Sequence, residues 1–253
     1  MSSTEQPSVM QRLRDETQEL HRRAEAKPLE QLLISGLPSF RAYTAFLEQR
    51  YLIHQALETH VRQVAETDPR VAEIAPPKLF QTENLRRDLE HFGQLPIQLA
   101  DSSENQTDSD DEVAESDGPR PCPATANLIA AIERAAEEMP ISLLGFYYVF
   151  EGSKNGARFI AQRLGPILEL SPGQPGLCYL DPHGPEQQPL WQAFKQRMDA
   201  ANFSPKEIEA QVAAAKLTFM CVGDLDDEIM AEITKDTARS ATPQCPFAGS
   251  HPR

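Results

Sequence analysis

Between Ser142 and Leu164 the chain reads SLLGFYYVFEGSKNGARFIAQRL, and this stretch limits the fold more than any other. Its first half is apolar and aromatic and its second half amphipathic, the pattern of one long helix passing through a core. Gly152 and Gly156 sit in its middle. Each interior glycine costs about 1 kcal/mol relative to alanine, and a spacing of four puts both on one face, leaving two turns of bare backbone side by side. Either something flat or bulky approaches there, or a neighbouring helix packs closely; the segment alone leaves both readings open.

A helix of that kind needs partners, and the rest of the chain offers mainly helices. With 253 residues, 40% hydrophobic and 25% charged, and few alternating β-branched runs, the composition fits a soluble, mostly helical globular protein. The longest apolar run, Ile141 to Phe150, is far short of a membrane span, and MSSTEQPSVM has no basic flank before an apolar core. The expectation is a cytoplasmic protein that does not enter membranes. The net charge of −14 is concentrated: Asp101 to Asp117 holds eight acidic residues and no basic one, so the remainder carries only −6. A mildly acidic fold argues against nucleic acid as the main partner. Cys122, Cys178, Cys221 and Cys245 form no CxxC pair, and reduced thiols are expected.

Along the chain, a first helix is expected from Ser8 to Ala26, with Leu13, Thr17, His21 and Glu25 in a row at steps of four. His21 therefore lies at the edge of the buried stripe, either as a boundary histidine or as a group looking into a pocket. Ser39 caps a long amphipathic helix that carries His54 on its apolar side and His60 on its polar side. A helix from Thr82 to Phe92 follows, with Gly93 as its stop. Its Asp88–His91 spacing finds no second copy, so carboxylate-bridged di-iron chemistry is set aside. Residues 100–123 have almost no apolar side chain and too strong a charge excess to order themselves, which predicts a disordered acidic insertion within one domain. Thr125 caps the next helix, then comes the glycine-bearing helix, a Gly/Pro-rich loop from Gly165 to Gln188 with CYLDPHG, and a helix opening at Pro189. Ser204-Pro205-Lys206-Glu207 has the form of a capping box for a last helix running towards Ile233. The prediction is an all-α fold of about seven helices, a single domain over 1–235 with the insertion at 100–123, and a flexible tail from 236 to 253.

ETQELHRRAE early, YYVFEGSKNGAR in the middle and RMDAANFSPKEIEAQVAAAKLTFM near the end occur in that order, and together with YLDPHG they resemble the heme oxygenase family, especially its bacterial branch. The likeness runs from about Gln11 to Ile233, outside the acidic insertion. It implies an all-helical fold with heme held between a proximal and a kinked distal helix. It further implies oxidative cleavage of heme to biliverdin, carbon monoxide and iron by oxygen and external electrons. His21 matches the family's proximal iron ligand, with Thr17 and Glu25 beside it. Gly152, Ser153 and Gly156 fall on the distal helix, where bare backbone admits the macrocycle and selects which edge is attacked. Lys195 matches a basic position that meets the heme propionates, Arg14 is a further candidate, and Phe219 on the closing helix is assigned to the same pocket. No flavin or nucleotide motif is present, so electrons are expected from a separate ferredoxin or reductase.

The chain also departs from the family. Gly152 stands where animal and several bacterial members place a distal aspartate, which leaves the proton donor unassigned, and Trp191 replaces another basic residue. Cys245-Pro246 resembles the heme-regulatory Cys-Pro motif of some members, and Cys122-Pro123 is a second such pair. The missing acid and the Cys-Pro tail keep an alternative open, a non-catalytic heme-binding or heme-sensing protein; a heme-free helical protein is a third reading.

Overall fold

The computed structural model describes residues 7–94 and 118–240, with side chains to residue 235. Among these residues are nine α-helices, three short 3-10 turns and no strand. In order they are α1 (Val9–Glu25), α2 (Pro28–Ser35), α3 (Phe40–Ala65), α4 (Pro69–Ile74) and α5 (Thr82–His91), then α6 (Pro123–Glu138), α7 (Leu143–Leu168), α8 (Gln187–Ala200) and α9 (Pro205–Ser240).

Local chemistry explains most of the boundaries. Ser8 and Ser39 cap α1 and α3 by accepting from Gln11 N–H at 3.2 Å and Ala42 N–H at 3.1 Å. At the start of α9, Ser204 N–H donates to Glu207 Oε2 at 2.7 Å while Glu207 N–H donates to Ser204 Oγ at 3.3 Å, the reciprocal pair expected of a capping box. Two helices were not anticipated. α2 has proline at its start and ends on Gly36 with φ +75°, so it is only eight residues long and buries just Leu29 and Leu33. α4 is shorter still, six residues begun by the Asp68 carboxylate accepting from Arg70 N–H at 2.9 Å.

Other ends move outward from their expected places. α7 continues through Pro166 to Leu168, and α9 runs to Ser240, beyond the expected domain end at 235. α6 begins at Pro123, with Cys122 rather than Thr125 at its cap. The last residues of the expected acidic loop are fastened to α3: Gln49 Nε2 donates to the Arg120 carbonyl and its Oε1 accepts from Cys122 N–H, both at 3.0 Å. Most of that loop, residues 100–117, and the tail with Cys245 lie outside the described residues.

α9 is the member the others gather on, with α1 and α7 packed along it and α2 and α6 against it as well. α7 and α9 come backbone to backbone at Gly145. A Cβ there would stand 2.7 Å from the Gln211 carbonyl carbon and 2.8 Å from its Cα, so only glycine lets these two backbones meet. Leu13, Leu47, Leu57, Leu128, Leu144 and Leu225 are wholly buried in the core between these helices. The CYLDPHG loop is pinned to α5 by one carboxylate. Asp88 accepts from Gly176, Cys178 and Tyr179 N–H groups at 2.7, 2.9 and 2.8 Å. Tyr43 on α3 adds a hydroxyl donated to the Gly176 carbonyl at 2.8 Å.

Candidate functional site

Where α1 and α7 both rest on α9, a cleft of about 420 Å³ opens between the last turn of α1 and the middle of α7. His21 lines one side. Its side chain is 53% exposed, its Nδ1 is 3.4 Å from Glu25 Oε2, and the Phe219 ring of α9 meets it edge-on at 5.4 Å. With Nδ1 turned to Glu25, Nε2 is the ring nitrogen left to bind something in the opening. Gly152, Ser153 and Gly156 line the opposite side. A Cβ on Gly156 would meet nothing within 4 Å, whereas one on Gly152 would lie 3.4 Å from a Trp191 ring carbon. The two readings of a glycine-bearing helix thus divide between positions: close helix approach belongs to Gly145, and open backbone facing a cavity belongs to Gly156.

The remaining expected site residues spread over three places. Glu25 and Phe219 line the cleft with His21. Arg14 and Lys195 line a smaller adjoining pocket of about 370 Å³, which shares Tyr148 and Trp191 with the cleft. There Lys195 Nζ lies 5.8 Å from the Trp191 ring centre, and Arg14 pairs with Asp15 at 3.0 Å while staying 74% exposed. Thr17 does not line the cleft: it is buried, and its hydroxyl donates to the Leu13 carbonyl at 2.6 Å. Cys245 is outside the described residues.

A family model described as heme oxygenase matches residues 8–225. This chain belongs to the heme oxygenase family. Solved heme oxygenases share its fold. That of Leptospira interrogans superposes with a TM-score of 0.71 at 20% identity over 88% of this chain and 100% of its own. Heme oxygenase-1 of the cyanobacterium Synechocystis sp. PCC 6803, solved in complex with heme, gives 0.72 at 16% identity over 93% and 100%. A domain of unknown function with a heme oxygenase-like fold from Shewanella denitrificans gives 0.64 at 13% identity over 94% and 98%. No curated protein matches the sequence.

The inner end of the cleft holds what sequence reasoning missed in this heme oxygenase family member. Arg50 is 5% exposed, lies 5.0 Å over the Phe46 ring and 5.7 Å over Phe150, and reaches Glu30 at 3.8 Å. Behind it Asp226 is wholly buried, with both carboxylate oxygens unpartnered by protein groups. Burial is the main force pushing its carboxyl up to about 8, and the nearby Glu30 charge adds to it. Lys154 is buried as well: Nζ donates to Glu151 Oε2 at 2.7 Å and to the Leu79 carbonyl at 2.8 Å, and burial pulls its pKa down. Tyr179 closes this wall, with its hydroxyl 3.4 Å from His54 Nε2. The pairs Glu151–Lys154 and His54–Glu58 have helical spacing, so their contact was readable in the sequence. Their burial was not.

Proposed function

We propose that this chain binds heme in the cleft and cleaves it oxidatively to biliverdin, carbon monoxide and iron, with oxygen and electrons from an external ferredoxin or reductase. The observation that carries the reading is the opposition of an available imidazole, His21, and a side-chain-free backbone, Gly156, across one cleft. The cleft fits a flat apolar macrocycle. Its volume is in the range of cofactor sites, and Val149, Phe150, Ile160, Leu180, Phe219 and Val222 give it apolar and aromatic walls. Heme, when bound, supplies an iron that takes up oxygen and reducing equivalents.

Each residue contributes through its position. His21 would hold the iron by Nε2, with Glu25 fixing the ring through Nδ1 at 3.4 Å. The edge of Phe219 limits rotation of that ring. Gly156 would let a macrocycle lie against the backbone of α7, while Gly152, backed by Trp191, would set how near its edge comes. Arg14 and Lys195 stand at the adjoining mouth, where cations meet the two carboxylates that heme carries. Cys245 and its following proline offer a second, regulatory contact for heme; a Cys245→Ala variant that keeps the wild-type heme stoichiometry and spectrum would leave that cysteine without one.

Hemin titration followed by a reductant system in air tests the reading. Decay of the Soret band with growth of a biliverdin band is the expected outcome. A stable ferrous or ferric complex would favour a heme-binding or sensing protein, and no binding at stoichiometric hemin would remove heme from the account. His21→Ala should lose the histidine-ligated spectrum and regain it with added imidazole.

A further inference from the structure

Heme cleavage consumes protons inside the cleft, yet the distal helix presents no carboxyl group to it. Gly152, Ser153 and Gly156 face the opening, and the Ser153 hydroxyl already donates to the Phe150 carbonyl at 2.8 Å. Glu151, next in line, is turned inward against Lys154 at 2.7 Å and is 1% exposed.

A file of three side chains reaches the opposite wall from within the protein. Tyr179 lines the cleft, its hydroxyl is 3.4 Å from His54 Nε2, and His54 Nδ1 is 3.0 Å from Glu58 Oε1. Glu58 also accepts from Gln81 N–H at 2.5 Å and from Thr82 N–H and the Thr82 hydroxyl at 3.0 and 2.5 Å. Burial pushes its carboxyl up, but the His54 contact and these donors together outweigh it and hold the pKa below the usual value, so Glu58 stays ionised. An ionised carboxylate at Nδ1 accepts only from an N–H there, which leaves Nε2 to face the Tyr179 hydroxyl. Burial, the largest influence, pushes the Tyr179 hydroxyl up to about 12, so it keeps its proton at neutral pH. Neither His54 nor Glu58 lies on the cleft surface, so Tyr179 is the member of the file that meets it.

We propose that Tyr179 hands a proton to the ligand in the cleft and is recharged by His54, with Glu58 as the positioning residue. This assignment rests on the heme-cleaving reading above. The transfer starts with His54 protonated on both nitrogens and donating Nε2–H to the Tyr179 oxygen. The Tyr179 O–H bond breaks towards the acceptor in the cleft while the Nε2 proton moves onto the phenol oxygen, so tyrosine is restored and His54 becomes neutral. Glu58 remains a carboxylate throughout, a proton from bulk solvent restores the charge on His54, and no electron moves. The charged neighbours that set the field on this file are Arg50 of α3, Glu30 of α2, Glu151 and Lys154 of α7, and Asp226 of α9 beside Arg50 and Glu30.

Tyr179→Phe and His54→Gln test it in the full chain. Both should keep a histidine-ligated Soret band, because neither touches His21. Bilin formation should fall about 100-fold or more in Tyr179→Phe, the scale of a lost general acid, with an altered solvent deuterium isotope effect. Independently of turnover, the pH midpoint of the ferric hemin complex's absorption change should move in both variants. A Tyr179→Phe protein with wild-type rate and midpoint overturns the assignment while leaving the heme-cleaving reading intact. A wild type that binds no hemin overturns both. If it binds hemin without consuming it, cleavage fails, and an unmoved midpoint in Tyr179→Phe then removes the proton role too. Should His54→Gln misfold, Tyr179→Phe alone decides, since it removes only an oxygen.

Discussion

Replacing Gly156 by alanine should make the fold more stable and the site worse. The added methyl meets no atom within 4 Å, so no packing strain opposes it. In the middle of α7 alanine then gains the helix-propensity difference over glycine, about 1 kcal/mol. For a chain of this size that raises Tm by roughly 2–4 °C. The same methyl projects into the cleft, where it separates the α7 backbone from any flat ligand pressed against it. Loss of that close approach should weaken hemin binding by about tenfold, or about 1.4 kcal/mol. Thermal unfolding of the apo protein by circular dichroism reads the first effect, and hemin titration by Soret absorbance reads the second. A lower Tm would mean that Gly156 is a packing glycine, and an unchanged hemin affinity would mean that its open face is not the ligand's.

Gly145→Ala, seven residues earlier than Gly152 on the same helix, should do the reverse and destabilise by about 3 kcal/mol, because its methyl would drive into the Gln211 backbone and force α7 off α9; urea unfolding checks this, and a midpoint equal to wild type would refute it. Asp226→Asn should stabilise increasingly with pH. The folded-state carboxyl is raised to about 8, so its contribution is complete below about pH 4 and is lost as pH rises through 8, a loss the amide does not share. Urea midpoints at pH 5 and 9 measure it, and a variant-minus-wild-type difference that does not grow would contradict the raised value. Lys195→Ala should weaken hemin binding more than binding of hemin dimethyl ester, since only the free acid carries the charges that Lys195 would meet; equal losses would take the propionates away from that pocket.

The long helices were legible because amphipathic periodicity accumulates over many turns: α1, α3, α5 and α9 begin within a residue or two of the expected serine, threonine or proline signals. α2 and α4, of eight and six residues, are too short for that periodicity to rise above noise and depend on tertiary contacts for their existence. His21 and the α7 glycines could be singled out in sequence, because an edge histidine and paired glycines each break a local rule. Their meeting across one cleft could not, as it depends on both helices leaning on α9. Arg50, Glu30 and Asp226 were overlooked for a related reason. A charged residue in an amphipathic helix reads as solvated unless the fold is known to cover it, and here three elements close over the group.

The loop that carries Tyr179 owes its shape to Asp88, a side chain of α5 that does not line the cleft. Three amide protons converge on that carboxylate, and the last belongs to Tyr179 itself. An asparagine there can accept through only one oxygen, so the anchor would slacken and the phenol would drift from its station. Such a lesion would leave every wall residue intact and still read, in any activity screen, as damage to the wall. Pocket engineers working on this scaffold therefore inherit α5 as a remote part of their design.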